Sequence, residues 1–100
     1  MAATPEGKVK ADIKKFLMRV GAWFCMPATG GFGKSGVPDF LVCWKGRFFG
    51  IEAKAPGKSG NTTPAQDQQL KEIEEAGGHS LVCDDVSALV LYFESLKLEA

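Results

Sequence analysis

The 100-residue sequence predicts an α/β fold in the order αβββαβα, with a mixed four-stranded sheet flanked by helices. Three observations carry this expectation. Thr-Pro pairs at 4–5 and 63–64 open two helical patterns. Two strand-like runs, 39–44 and 47–54, are separated by Lys45-Gly46 alone. A helix then leads back to a further strand-like run at 79–83, so an antiparallel unit must be joined by a crossover.

Each element has its own local signals. In residues 5–20, Val9, Ile13, Phe16, Leu17 and Val20 recur at helical spacing; Thr4 can cap them, and Gly21 stops them. "AWFCM" (22–26) is a first strand, followed by a glycine-rich loop in which Phe32 is exposed. "DFLVCW" (39–44) and "RFFGIEAK" (47–54) form a hairpin, and "APGKSGNT" (55–62) is a mobile loop. The second helix has Thr63 as cap, Pro64 at its first position, Gln66 three after the cap and Gly77-Gly78 as terminator. "HSLVC" (79–83) is the fourth strand. Asp84 or Asp85 then opens a last helix with Val86, Leu89, Val90, Phe93 and Leu96 on one face, which leaves Leu91, Tyr92 and Leu98 off the stripe.

With no repeat, linker or low-complexity tract, residues 1–100 read as a single domain. No run is long or apolar enough to cross a bilayer, and the first fifteen residues lack the apolar core of a signal peptide. Cys25, Cys43 and Cys83 are read as buried free thiols in a reducing, cytoplasmic compartment, since no paired metal-ligand spacing exists. His79 has no nucleophile partner and reads as structural or solvated. The net charge of zero conceals an asymmetry. Residues 1–60 carry ten Lys or Arg against four acids, a net of +6; residues 61–100 carry two against eight, a net of −6. A basic half suits one face of a nucleic-acid binder, and equally a solvated surface.

"GGFGKSGVPDF" (31–41) resembles a phosphate cradle but is not one. A P-loop needs glycine five places before its Gly-Lys-Ser, where Ala28 stands, and a helix that Pro38 forbids. Gly57-Lys58-Ser59 fails too, with Glu52 at the glycine position. What the first loop delivers is Asp39. If Lys45-Gly46 is a two-residue turn, paired positions sum to 91 and Asp39 faces Glu52, with Lys54 on the same face and Phe48 further along it. Two carboxylates ~5 Å apart repel by on the order of 3 kcal/mol at an effective dielectric of ~20. Lys54 offsets part of this as a structural ion cluster; a bound Mg²⁺ or Mn²⁺ offsets it better, beside a phosphate substrate. Lys54 would then orient or deprotonate the attacking water. Lys34, Ser35 and Lys58 become contacts to a nucleic-acid backbone.

Pro38-Asp39 followed by Glu52-Ala53-Lys54, in an αβββαβ order, resembles the PD-(D/E)xK nuclease superfamily with its restriction-endonuclease-like core. More narrowly, residues 6–95 resemble the VRR-NUC (virus-type replication-repair nuclease) family, including Glu6, Gly36 and the "TPAQ" opening of the second helix. The resemblance implies Asp39, Glu52 and the Ala53 carbonyl as ligands of Mg²⁺ or Mn²⁺, Lys54 as the catalytic lysine and Glu6 as an outer or second-metal ligand. It also brings Gln66 to the site. Glu6 is equally explained by the helix dipole, and Gln66 by a capping box. The family further implies a DNA endonuclease of stand-alone viral or phage type, acting as a homodimer on branched DNA such as four-way (Holliday) junctions. The alternatives are a flap- or end-processing or less selective nuclease, and a non-catalytic nucleic-acid-binding module.

Overall fold

The computed structural model describes residues 4–28 and 33–97; the expectations for Phe32 and Leu98 lie outside them. Helix α1 (Pro5–Arg19) starts where the Thr4 hydroxyl accepts the Gly7 N–H at 3.0 Å. It buries Val9, Ile13, Phe16 and Leu17, and Gly21 (φ 74°) turns the chain out of it. Strand β1 (Trp23–Cys25) is shorter than the apolar run from which it was read. Pro27 has no N–H to extend an edge ladder.

β2 (Phe40–Trp44) and β3 (Arg47–Ala53) form the expected hairpin. Trp44 pairs with Arg47, Val42 with Phe49 and Phe40 with Ile51, each pair summing to 91. The turn sets Lys45 at φ 49° and Gly46 at φ 77°. Two consecutive positive φ values match the twist of a hairpin, and the Lys45 ammonium lies 5.6 Å from the centre of the Trp44 ring. α2 (Pro64–Glu75) then crosses over to β4 (His79–Cys83), which runs parallel to β3, and α3 (Val86–Lys97) ends the order αβββαβα. The sheet order is β1-β2-β3-β4, antiparallel except for the last pair.

The two sheet faces differ. Phe40, Val42, Trp44, Phe49, Ile51, Ala53 and Cys83 point to one face and form the core with α1 and the α3 residues Leu89, Phe93 and Leu96. Phe93 stacks on Trp44 at 4.3 Å and meets Phe16 edge-on at 5.3 Å, so Phe93→Ala should cost ~3–5 kcal/mol. The other face carries α2 over β3 and β4, and α2 has no fully buried residue.

Three expectations are corrected here. Of the cysteines only Cys83 is buried; Cys25 is half-buried and Cys43 is exposed. Cys43 points to the α2 side of the sheet, paired with Trp23 (62% exposed) and Phe48 (43% exposed), where α2 does not reach. Burial and the neighbouring Asp84 and Asp85 push the Cys83 thiol up to about 11, which keeps it protonated. Loop 55–62 is pinned rather than mobile: Asp84 accepts the Gly57 N–H at 3.0 Å, and backbone turns close at Ala55–Lys58 and Lys58–Asn61. Tyr92 is no spare surface residue, because its hydroxyl lies 2.7 Å from His79 Nδ1 and its ring packs edge-on against Phe49. That contact gives His79 the structural role expected of it, its ring stacked on Phe49 at 4.9 Å.

Candidate active site

The site forms where β2 begins and β3 ends. Asp39 immediately precedes β2, and its Oδ2 accepts the Ala53 N–H at 2.8 Å. This side-chain bond, just beyond the last ladder pair Phe40–Ile51, sets Asp39 against the end of β3. In an extended strand a residue's N–H and C=O point the same way, so the Ala53 carbonyl faces the Asp39 side. The next amide, Lys54 N–H, turns the other way to the Cys83 carbonyl at 2.9 Å.

Glu52 shares the sheet face with Lys54 and is only 4% exposed. Its Oε2 accepts the Gln66 Nε2–H at 2.9 Å and lies 3.8 Å from Lys54 Nζ. Its Oε1 is buried and has no hydrogen-bond partner. Burial first, and then the neighbouring Asp39 carboxylate, push the Glu52 carboxyl up to about 7, against a smaller downward pull from Lys54. A buried carboxylate with one bare oxygen is costly unless a proton or a cation takes it.

Gln66 serves the helix cap and the site at once. Its Oε1 accepts from Thr63 N–H at 2.9 Å and from Lys54 Nζ at 3.1 Å. Both partners are pure donors, so the carbonyl end must face them and the amide N–H must face Glu52. Meanwhile Gln66 N–H donates to the Thr63 hydroxyl at 3.1 Å, completing the capping box. One side chain thus fixes both Lys54 and Glu52 to the first turn of α2.

Gly36 explains how Pro38-Asp39 reaches this place. It sits at φ +79°, and a Cβ there would lie 2.4 Å from the Ala65 backbone. Only glycine lets the loop pass so close to the start of α2. At Gly50, earlier on β3, a Cβ would lie 2.5 Å from the tip of the Ile73 side chain on α2.

The remaining expected residues lie further out. Glu6 does not meet Asp39 directly; Lys10 stands between them, with its Nζ 3.5 Å from Glu6 Oε2 and 3.5 Å from Asp39 Oδ1. Burial opposes the charge on Lys10, but Asp39 and Glu6 outweigh it and raise the Lys10 pKa. Lys10 was not anticipated. The signal lay in its position four residues after Glu6 and three before the buried Ile13, at the edge of the buried stripe. Lys34, Ser35 and Lys58 are exposed on flanking loops, and Lys34 pairs with Glu72 of α2 at 3.5 Å. Lys34 also lines a groove with Arg47, Phe48, Gln69, Glu72 and Ile73 beside the hairpin turn.

Among the described residues, no group of three or more His, Cys, Asp or Glu converges as a metal cage. Two carboxylates and a carbonyl nevertheless match what Mg²⁺ requires, since that ion takes few protein oxygens and keeps several waters. The bare Glu52 Oε1 is the observation that makes the fit.

A mixed sheet in this order, with Asp39, Glu52 and Lys54 gathered at its end, is the frame of the PD-(D/E)xK nucleases. A solved structure described as a VRR_NUC domain superposes with a TM-score of 0.73 at 25% identity. It covers 92% of this chain, and this chain covers 97% of it. No family model matches the sequence, and no curated protein matches it significantly. In fold and architecture the chain is similar to a VRR_NUC domain, whose fold is that of nucleases of the PD-(D/E)xK type.

Proposed function

We propose that the chain, acting as a single domain over residues 1–100, is a divalent-metal-dependent endonuclease that hydrolyses DNA phosphodiester bonds at the Asp39–Glu52–Lys54 site. The observation that carries the proposal is the pair of facing carboxylates, one of them buried with a bare oxygen. Asp39, Glu52 and the Ala53 carbonyl would hold Mg²⁺ or Mn²⁺. When bound, the ion supplies Lewis-acid stabilisation of phosphate charge and lowers the pKa of a bound water.

This chain's own residues do the rest. Glu52 must give up the proton it holds at pH values below about 7 before it can act as a ligand. Lys54, steadied by the Gln66 carbonyl, orients the attacking water and neutralises charge developing on the phosphate. Gln66 keeps Glu52 and Lys54 at a fixed spacing without itself carrying charge. Lys34, Ser35 and Lys58 contact backbone phosphates on either side, and the groove beside Lys34 and Phe48 opens on the same sheet face.

The substrate we favour is branched DNA, notably four-way junctions, cut by a homodimer. Symmetric nicking of a two-fold substrate calls for two active sites, and one chain carries one. Leu91, 70% exposed on α3, supports a partner surface there. Among the described residues no helix is long and apolar enough to cross a membrane, and the reading is of a viral or phage protein working in the host cytoplasm, or of a bacterial cytoplasmic one. A panel of labelled single-stranded, duplex, flap, fork and four-way DNAs, incubated with Mg²⁺ or Mn²⁺, tests this. Paired cuts at four-way junctions support it; preference for flaps or ends would redirect the substrate, and no cutting anywhere would favour a binding module.

A further inference from the structure

Lys10 has no place in the mechanism above, yet its ammonium is set between two acids of the site. Asp39 has one oxygen engaged by the Ala53 N–H, and Lys10 faces the other at 3.5 Å. Its second contact, Glu6 at 3.5 Å, sits one turn earlier on α1. The Lys10 side chain is two-thirds buried, so this is not a freely solvated surface pair. Lys10 thus separates Glu6 from Asp39, and Glu6 joins no metal-binding group with Asp39 and Glu52 among the described residues.

We propose that Lys10 is a built-in second cation of this centre, filling the place beside Glu6 and Asp39 that a second divalent ion would take and limiting the centre to one ion. The inference rests on reading the site as a divalent-ion centre. Charge balance supports it. Glu6, Asp39 and Glu52 against Lys10 and Lys54 leave −1 when all are ionised. One divalent ion brings this to +1, which a phosphodiester neutralises. Two ions would bring it to +3 with Lys10 in place, but only to +2 without it. Glu6 therefore becomes a metal ligand only when Lys10 no longer holds it.

The test counts bound Mn²⁺ by isothermal titration and by the loss of the free-ion electron paramagnetic resonance signal, with no DNA present. Wild type should bind one ion per chain, Lys10→Met two, and Lys10→Arg, which keeps the cation, one. Adding Glu6→Gln to Lys10→Met should abolish the second ion. Metal-free melting curves verify that each variant folds, and Lys10→Gln replaces Lys10→Met if that variant does not. One ion in both wild type and Lys10→Met, or two in wild type, overturns the role of Lys10 but leaves the metal centre standing. No binding to wild type overturns both.

Discussion

Replacing Glu52 by Gln should make the metal-free protein more stable, and increasingly so as pH rises. Burial holds the folded carboxyl near 7, against an ordinary value of 4.5. Because the folded state binds this proton more tightly than the unfolded chain, stability falls as pH rises from about 4.5 to about 7, and the full penalty persists above that. The difference between those two values corresponds to ~3 kcal/mol at pH 8. At pH 5 most of that penalty is absent, so the stability difference between variant and wild type should grow by ~2–3 kcal/mol between pH 5 and pH 8. For a chain of this size that is a relative gain in Tm on the order of 10 °C. The assay is thermal melting of both proteins in chelator across pH 5–8; subtracting the two curves removes the titrating groups that do not interact with Glu52. Saturating Mg²⁺ should then stabilise wild type by ~2–3 kcal/mol at a hundred times its Kd and leave Glu52→Gln unmoved. Parallel pH profiles for the two proteins, or a variant that loses ground at pH 8, would show that Glu52 is not held protonated by its burial.

Further outcomes follow from the same geometry. Lys54→Ala should lower turnover by about a hundredfold or more with little change in DNA affinity, read from single-turnover rates and binding titrations. Lys34→Ala and Lys58→Ala should instead weaken binding and each flatten its salt dependence by about one phosphate contact, seen in titrations across salt concentrations. Gly36→Ala should cost at least ~2 kcal/mol in chemical denaturation, because strain at positive φ adds to a clash with the Ala65 backbone. Light scattering at micromolar concentration should give a particle near 21 kDa, twice the 10.7 kDa chain, and Leu91→Glu should shift it toward monomer and impair junction cutting more than nicking of duplex.

The legible parts of this protein are those set by short-range rules. A two-residue turn at Lys45-Gly46 fixes a register, and a period of two then aligns Asp39, Glu52 and Lys54 without any tertiary information. Gln66 was legible both as a helix-cap residue and as a neighbour of Glu52 and Lys54, and its amide makes both sets of bonds because it has a donor end and an acceptor end. What was not legible depends on coverage and reach. Cys43 lies in an apolar strand, but its exposure is decided by how far α2 extends across the far sheet face. Tyr92 falls off the apolar stripe of α3, yet its length carries the hydroxyl to His79. Lys10 reads locally as half of a helix-surface pair with Glu6, while its contact to Asp39 crosses from α1 to the start of β2.

If Asp39, Glu52 and Lys54 form a metal-dependent cutting site, cleavage must depend on both the metal and these side chains. The most direct test is cleavage of an end-labelled four-way junction, with a matched duplex alongside, by wild type and by Asp39→Asn. Each protein is assayed in Mg²⁺, in Mn²⁺ and in chelator, after melting curves have verified that the variant is folded. Wild type should cut in either metal and not in chelator, and Asp39→Asn should not cut under any condition. Cutting by folded Asp39→Asn at the wild-type rate, or undiminished cutting by wild type in chelator, would contradict this assignment.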